Sequence, residues 1–286
     1  MAQKKLTIEQ LELKANDIRS DIISMLEKAG SGHSAGPLGL ADIFTALYFD
    51  VMRHDPKNPD WDERDVLILS NGHTAPVRYA TMAEAGYFDK KELSTLRQFG
   101  SRLQGHPERT KLPGLETTSG PLGCGLSQAV GVALGMRLNK QNHRWVFVVM
   151  GDGELNEGNI WEAAMLAPKY GLNNVIGIID RNNIQIDGPT ESVVPLENLK
   201  AKWEAFGWHV MEIDGNNIEA VIDALEMAKA VVEKPVMIIA YTIPGKGVDF
   251  MEYDFHWHGL PPNHEQAVLA LKELRTLKGK IRSEHE

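Results

Sequence analysis

The sequence predicts an α/β fold in which a doubly wound, mostly parallel sheet is flanked by helices. Two apolar runs, residues 145–150 and 174–180, have the composition of parallel strands that are buried on both faces. A helical pattern over residues 156–170 lies between them, and this order of strand, helix and strand is typical of a βαβ unit. Additional strands are predicted at residues 65–69, 208–213 and 235–241, with a helix over residues 217–232.

The N-terminal part of the chain is predicted to be helical. Thr7 and Gln10 form a capping-box pattern ahead of an apolar stripe with helical spacing, which ends at Gly30. A glycine-rich turn then separates this helix from a second helical stretch that runs to about Met52.

The loops and the C-terminus complete the expected architecture. Residues 99–123 hold five glycines and three prolines, which predicts a long loop, and long loops in compact domains are usually functional or disordered. No repeat, linker or low-complexity segment interrupts the pattern, so we expect residues 1–286 to form a single domain. Its C-terminal helix is expected from about residue 262 to residue 278, followed by a tail.

Composition excludes several classes of protein. The net charge of −9 and the pI near 5.6 argue against a nucleic-acid surface, which needs a basic stripe. No apolar stretch reaches the roughly 18 residues that a membrane span requires, and the N-terminus lacks the apolar core of a secretory signal. The single cysteine, Cys124, is consistent with a reducing compartment. We therefore expect a cytoplasmic protein with no membrane partner.

The most informative motif is Gly151-Asp152-Gly153, which follows one predicted strand as Asn182 follows the next. Gly-Asp-Gly alone is also common in ordinary turns. In open α/β sheets, however, ligands lie outside the carboxyl ends of the strands, where both polar residues emerge. Carboxylate and amide oxygens are ligands that Mg²⁺ prefers, and glycine lets the backbone approach phosphates closely. A helix N-terminus from Glu154 onward is expected to favour the anion. The motif thus indicates a diphosphate held through a divalent cation.

Four of the ten histidines occupy turns that glycine or proline frames. Such turns expose a side chain at a defined place, and imidazoles can bind phosphate oxygens or sugar hydroxyls and move protons near neutral pH. They lack the short, regular spacing of a zinc helix. The four are therefore interpreted as a site for carbohydrate phosphate chemistry; they are His33, His73, His106 and His258.

These turns, the Thr117 to Gly123 segment and the Gly-Asp-Gly motif with its Asn182-Asn183 pair occur in the order found in the N-terminal half of transketolases. The chain resembles that half from roughly residue 15 to residue 260. It is most similar to the N-terminal, thiamine diphosphate-binding subunit of the split, two-gene transketolases. The resemblance implies the thiamine diphosphate-binding fold and, within it, the diphosphate-binding domain.

The resemblance also implies a role for each matching position. Mg²⁺ or Ca²⁺ would be bound by Asp152, the Asn182 side chain and the Ile184 carbonyl. The diphosphate would contact His73, Gly153 and His258. Gly120 and Leu122 would lie against the cofactor rings, with Ile186 supporting the bent cofactor from the other side. Substrate hydroxyls and proton transfers would involve His33, His106 and His258, while Glu157 would join the hydrogen-bond network between paired cofactor sites.

The implied reaction is the transfer of a two-carbon ketol unit from a ketose phosphate to an aldose phosphate. In this family the glutamate that activates the cofactor belongs to a second, pyrimidine-binding domain, and so do the arginines that hold the substrate phosphate. That domain would begin where this chain stops. The resemblance therefore implies a C-terminal partner subunit, an α2β2 assembly and no ketol transfer by this chain alone.

Alternative functions remain open at the level of the sequence. The α subunits of 2-oxo acid dehydrogenases and the deoxyxylulose phosphate synthases share the Gly-Asp-Gly and Asn-Asn motifs, although the turns around His33, His106 and His258 favour transketolase. A relative that acts on an unusual branched or sulfonated sugar would retain all these features. A non-catalytic cofactor-binding or assembly subunit is a further alternative. A Rossmann dehydrogenase is disfavoured because no Gly-x-Gly-x-x-Gly follows the first strand.

Overall fold

A parallel five-stranded sheet lies at the centre of the computed structural model, which describes residues 5–141 and 143–285. Its strands are β1 (Val66–Leu69), β2 (Val146–Gly151), β3 (Val175–Arg181), β6 (His209–Asp214) and β7 (Val236–Tyr241), and the small hairpin between β3 and β6 is formed by β4 (Ile184–Gln185) and β5 (Gly188–Pro189). The order across the sheet is β1-β2-β3-β7-β6. The predicted strands are confirmed to within one or two residues.

Helices make up most of the remaining chain. The capping box predicted at Thr7 is present, and the first helix ends at Gly30 in the left-handed conformation. The second helical stretch is divided into two short α-helices and a π-helix, Leu47–Val51. The α-helices are α1 (Ile8–Ala29), α2 (Ala35–Gly39), α3 (Ala41–Ala46), α4 (Ala75–Ala85), α5 (Cys124–Leu138), α6 (Gly158–Lys169), α7 (Thr190–Val193), α8 (Leu199–Ala205), α9 (Ile218–Ala230) and α10 (His264–His285).

The helices cover both faces of the sheet, as the doubly wound prediction requires. Successive side chains of a strand point to opposite faces. Phe147 and Val149 accordingly join one buried apolar cluster, which also contains side chains of α1, α3, α4, α9 and α10. Val146 and Val148 join a second cluster with α5, α6 and α8. Within the described part of the chain, no helix combines the length and the apolar character needed to span a membrane.

Two helix boundaries differ from the prediction. A 3-10 turn, Gly153–Asn156, follows Asp152, and α6 begins only at Gly158. The helix N-terminus expected from Glu154 onward therefore belongs to this short 3-10 turn, and the α-helix is delayed because Glu157 adopts an extended conformation. The C-terminal helix starts near the predicted residue 262 but continues to His285, beyond the expected end at residue 278.

Two glycines of α5 have different surroundings. At Gly125, a Cβ atom would lie only 2.8 Å from the Cα of Ser70, at the end of β1, so the helix can approach the strand closely only without a side chain there. At Gly131, on the outer side of the same helix, an added Cβ would meet no neighbouring atom within 4 Å. Packing within this chain therefore explains the first glycine and not the second.

This contrast predicts opposite effects of alanine on folding stability. Gly125→Ala should lower the free energy of unfolding by about 1–3 kcal/mol, since it overpacks a buried contact. Gly131→Ala should raise that free energy by about 0.5–1 kcal/mol, because alanine favours the helix without a steric penalty. Urea unfolding of both variants checks this, and equal shifts in the two would contradict the packing described.

Candidate functional site

Loops that leave the carboxyl ends of β1, β2, β3 and β7 meet at one cavity of about 210 Å³. Asp152 and Asn182, which the sequence places at the carboxyl ends of two neighbouring strands, both line this cavity, as expected. Eight of the residues proposed from the sequence line this cavity: His73, Leu122, Asp152, Gly153, Asn182, Ile184, Ile186 and His258.

The Asp152 carboxylate is the most firmly held group of the site. It is 1% exposed, and its Oδ2 accepts hydrogen bonds from Arg181 Nη1 at 2.9 Å and from the Asn183 N–H at 2.8 Å. The Gly153 N–H donates to Oδ1 at 2.7 Å. Burial raises the pKa of Asp152, while the Arg181 guanidinium and the two N–H donors oppose that shift. The carboxylate is thus kept in one orientation at the cavity wall.

The second proposed cation ligand is oriented by its neighbours on β3 and β4. Asn182 Nδ2 donates to Asp180 Oδ2 at 2.9 Å, and Asn182 Oδ1 accepts the Ile184 N–H at 3.0 Å. Asp180 is buried and also accepts a hydrogen bond from the Thr242 hydroxyl, which follows β7. Burial raises the pKa of Asp180 to about 7, the hydrogen bonds oppose the shift, and the charge of Asp152 adds to it.

Glu154 joins three segments around the cavity, a role that the sequence analysis missed. Its Oε1 accepts from the Ser70 hydroxyl and from the Gly123 N–H, and its Oε2 accepts from the Gly151 N–H at 3.1 Å. The end of β1, the start of α5 and the end of β2 are therefore held by one buried carboxylate. Burial raises its pKa, and these hydrogen bonds oppose the shift.

Three of the proposed histidines form a cluster of rings. The His33 and His73 centroids are 4.8 Å apart, those of His73 and His258 are 5.2 Å apart, and those of His33 and His258 are 5.7 Å apart. Burial lowers the pKa of each, to about 4 at His33 and well below the usual range at His73. The imidazoles are therefore neutral at pH 7, so each ring offers one donor and one acceptor nitrogen.

His106 lies beside this cluster on the long loop. Burial lowers its pKa, with a further contribution from the charge of Arg97, and that same charge acts on His33. Arg97 lies close to the backbone of the two glycine turns, because a Cβ on Gly105 would be 3.1 Å from its guanidinium and one on Gly32 would be 3.6 Å from its Nε. Arg97 could not be recognised from the sequence, since it is a single arginine on a loop and belongs to no motif.

Three proposed residues lie at the rim of the cavity or away from its wall. Gly120 lies near the wall, where a Cβ on Gly72 would be 3.2 Å from its N atom. Ile186 is 67% exposed at the mouth. The Glu157 side chain is exposed before α6 and does not line the cavity. The structure of this chain therefore does not bring Glu157 together with the histidines and the cation ligands.

Several buried polar atoms at the cavity are ready to receive a ligand. Among the described residues, Asn71 Nδ2, Asn71 Oδ1 and His258 Nδ1 are buried without a hydrogen-bond partner, and both residues line the cavity. An unsatisfied buried polar group costs about 1–3 kcal/mol, which a bound molecule can offset. A polar ligand such as a diphosphate with its cation therefore fits the donors and acceptors present.

The residues missed from sequence share one cause. Asp180 and Arg181 end an apolar strand, which marks them only as its boundary, and Asn71 lies in a turn whose more conspicuous residue is His73. Arg181 acts on Asp152, 29 positions away, and Glu154 binds Ser70, 84 positions away. Spacing along the chain carries no signal for contacts of that kind.

The histidine pKa values predict how stability depends on pH. His33 has a folded-state pKa of about 4, below its usual value near 6.5, so the unfolded chain binds a proton first as the pH falls. The stabilisation present above pH 6.5 should be lost between about pH 6.5 and pH 4. Between pH 7.5 and pH 5, the free energy of unfolding should therefore fall by about 1–2 kcal/mol more in the unsubstituted chain than in His33→Gln.

Urea unfolding at the two pH values measures this difference. His209→Gln, which removes an exposed imidazole from β6, is the matched control and should lose as much stability as the unsubstituted chain. An equal loss in all three proteins would show that the His33 ring does not sit neutral in the folded state.

Comparisons with known proteins agree with this geometry. The family model described as "Transketolase, thiamine diphosphate binding domain" matches residues 11–279. One of the subunits of an apulose-4-phosphate transketolase from Phocaeicola vulgatus is 39% identical over 98% of this chain and 99% of its own length. A 6-deoxy-6-sulfo-D-fructose transketolase subunit of a Clostridium species is 42% identical over 92% of this chain and 96% of its own length.

Single-chain transketolases are also similar but much longer. Transketolase 2 of Escherichia coli is 41% identical, and the match spans 91% of this chain and 40% of that protein. A crystal structure of a transketolase variant from Pichia stipitis superposes with a TM-score of 0.88 at 34% identity, and this chain covers 41% of it. The chain therefore spans less than half the length of these relatives. On the family match, the sequence similarity and the shared fold, this chain belongs to the transketolase family and corresponds to its thiamine diphosphate-binding domain.

Proposed function

We propose that this chain is the cofactor-binding subunit of a two-chain transketolase. It would transfer a two-carbon ketol unit from a ketose phosphate to an aldose phosphate with thiamine diphosphate and Mg²⁺. The observation that carries the proposal is the meeting, in one cavity, of a held carboxylate, an oriented amide and a cluster of neutral imidazoles.

The cation and the diphosphate would be held mainly by the carboxyl ends of β2 and β3. Asp152, Asn182 and the Ile184 carbonyl would supply oxygen ligands to Mg²⁺, which commonly also binds phosphate oxygens and water. His73, Gly153 and His258 would contact the diphosphate. A Cβ on Gly153 would lie 2.8 Å from the Gln185 side chain, which would have to shift to make room for it.

The sugar would be bound by the neutral imidazoles. When it is bound, thiamine diphosphate supplies the nucleophilic carbon for ketol transfer, and the protein supplies position and electrostatics. His33, His106 and His258 can each donate one hydrogen bond to a sugar hydroxyl and accept another, and can carry a proton between hydroxyls. Among the described residues, Nδ1 of His33 and Nδ1 of His258 have no protein partner, so both atoms remain for such contacts.

Two classes of donor sugar fit the subunit relatives. These relatives are named for apulose-4-phosphate and for 6-deoxy-6-sulfo-D-fructose, and their identities to this chain are 39% and 42%. A ketose phosphate is proposed as the donor, with an unusual branched or sulfonated sugar as the alternative.

Binding of the cofactor should depend on the cation and on Asp152. Isothermal titration of the full chain, alone and with its partner subunit, should detect thiamine diphosphate only when Mg²⁺ is present. Asp152→Asn should weaken that binding at least 10-fold, because it removes the charged cation ligand. Asp223→Asn, an exposed position on α9, is the control and should bind normally. Equal cofactor binding with and without Mg²⁺ would contradict the proposed site.

A partner subunit would cover the open side of this cavity. Leu122 is 36% exposed and Ile186 is 67% exposed, although both line the cavity that would hold the cofactor. The single-chain relatives contain more than twice the length of this chain, and the similar split proteins are named as subunits. We propose that the partner carries the remaining transketolase domains, that the assembly is α2β2, and that it is cytoplasmic.

The outer face of α5 and α6 is the surface on which this partner would dock. Gly123, before α5, lies beside Asn159 near the start of α6. Arg137, near the end of α5, donates a hydrogen bond to the Tyr170 carbonyl just after α6. The two helices therefore run side by side in the same direction. Their outer stripe begins at Leu122 on the cavity rim. It is formed mainly by exposed or half-buried glycines and apolar side chains: Gly131, Gly135, Leu138, Gly158, Met165 and Leu166, with Ser127 and Glu162 as exposed polar members.

The exposed stripe of α9 provides a contrast, because Glu219, Asp223 and Glu226 make it charged. Glycines with open space above them, such as Gly131 and Gly135, allow another backbone to approach closely. The helix face that continues from the cofactor cavity is apolar and contains glycines. The partner that completes the active site is therefore the protein that we propose to bind this face.

Two exposed methionines allow a matched test of this docking surface. Met165 on α6 is 56% exposed and Met227 on α9 is 62% exposed. Met165→Glu should weaken association with the partner by at least 10-fold, since it buries a charge in an apolar interface. Met227→Glu should associate normally.

Association is measured by native mass spectrometry, together with ketol transfer. The full chain alone should show no ketol transfer and should gain it with the partner. Turnover by the rigorously purified single chain, or equal association of the two methionine variants, would contradict this part of the proposal.

A further inference from the structure

Asp180 is a buried acidic residue at the cavity that the proposed reaction does not use. It is 1% exposed, it lines the cavity, and it lies at the end of β3, two residues before Asn182. We propose that Asp180, held by Thr242, is a positioning residue that turns the Asn182 amide so that its oxygen is presented to the cation. This inference rests on the proposed cation site and assigns a residue that orients one of its ligands.

The hydrogen bonds of the Asn182 amide allow only one orientation. Asn182 Nδ2 lies 2.9 Å from Asp180 Oδ2 and donates to it, so the amide NH₂ faces the Asp180 carboxyl group. On the other side, the backbone N–H of Ile184 lies 3.0 Å from the Asn182 oxygen and can only donate. A rotated amide would place oxygen against oxygen and N–H against N–H. Two independent neighbours therefore enforce the same arrangement.

Thr242 ties this arrangement to the neighbouring strand. Asp180 pairs with Ala240 across β3 and β7, and Thr242 follows the end of β7. Its hydroxyl donates to Asp180 Oδ1, and its N–H donates to the Arg181 carbonyl at 3.4 Å. Thr242 therefore holds Oδ1 of Asp180, and Oδ2 of Asp180 binds the Asn182 amide. Asp180 acts through Asn182, as residues behind a metal ligand commonly do.

The test uses four variants of the full chain at pH 8. Asp180→Asn replaces the acceptor-only group with an amide that can donate to Asn182 and so permits the rotated orientation. Thr242→Val removes the hydroxyl with little change in shape, and Thr242→Ser retains it. Asp223→Asn removes an exposed carboxylate of α9 outside the cavity, which separates the loss of one negative charge from the loss of the contact with Asn182.

The first measurement is Mn²⁺ binding in the presence of thiamine diphosphate, by electron paramagnetic resonance. Asp180→Asn should weaken Mn²⁺ binding at least 10-fold and Thr242→Val about 3-fold to 10-fold, in line with the usual cost of removing a group behind a metal ligand. Thr242→Ser and Asp223→Asn should remain within about 3-fold of the unsubstituted chain. Unchanged binding in Asp180→Asn, or an equal loss in Asp223→Asn, would overturn the inference.

The second measurement does not need a cation. The side-chain NH₂ of Asn182, assigned by its loss in Asn182→Asp, should exchange slowly with solvent in nuclear magnetic resonance spectra and at least 10-fold faster in Asp180→Asn. Rapid exchange in the unsubstituted chain would overturn the orienting role of Asp180. Absence of Mn²⁺ uptake with slow amide exchange would instead contradict the proposed function and leave the orientation supported.

Discussion

The buried contact between Asp152 and Arg181 is the interaction on which the site depends. The carboxylate follows β2 and the guanidinium ends β3, so the pair joins two central strands where they open toward the cavity. Arg181 also pairs with Glu191 at 2.5 Å and with Glu197 at 3.0 Å, which holds the segment after the small β-hairpin. Removal of one partner from a buried pair leaves an uncompensated charge and is strongly destabilising. One ion pair thus secures both a proposed cation ligand and the wall around it.

The other buried carboxylates of the site follow a related pattern. Glu154 holds the ends of β1 and β2 and the start of α5, and Asp180 holds Asn182 and Thr242. Each carboxyl group is buried and accepts hydrogen bonds, so it restrains the backbone segments that carry its donors. Asn71 and His258, which line the cavity, have buried polar atoms that no group in the described part of the chain binds. The protein therefore combines a rigid frame with a surface that is left for a ligand.

The structure also separates two parts of a transketolase site. The groups proposed for the diphosphate, the cation and the sugar hydroxyls lie in this chain, around one cavity and the histidines beside it. The side of the cavity that faces Leu122 and Ile186 is open, and the apolar stripe of α5 and α6 continues from it. Relatives that carry the whole enzyme in one chain are more than twice as long.

Local patterns in the sequence were sufficient for the strand order of the central βαβ unit, the capping box at Thr7 and the proposed cation ligands Asp152 and Asn182. Apolar runs, helical spacing and glycine turns are properties of neighbouring residues, so they can be recognised along the chain itself. The tertiary structure alone decided that Arg181, Asp180 and Glu154 support these ligands, that α6 begins only at Gly158, and that Glu157 lies outside the cavity. These features depend on side chains that meet across strands and loops, and buried charges select their partners by distance in space rather than along the chain.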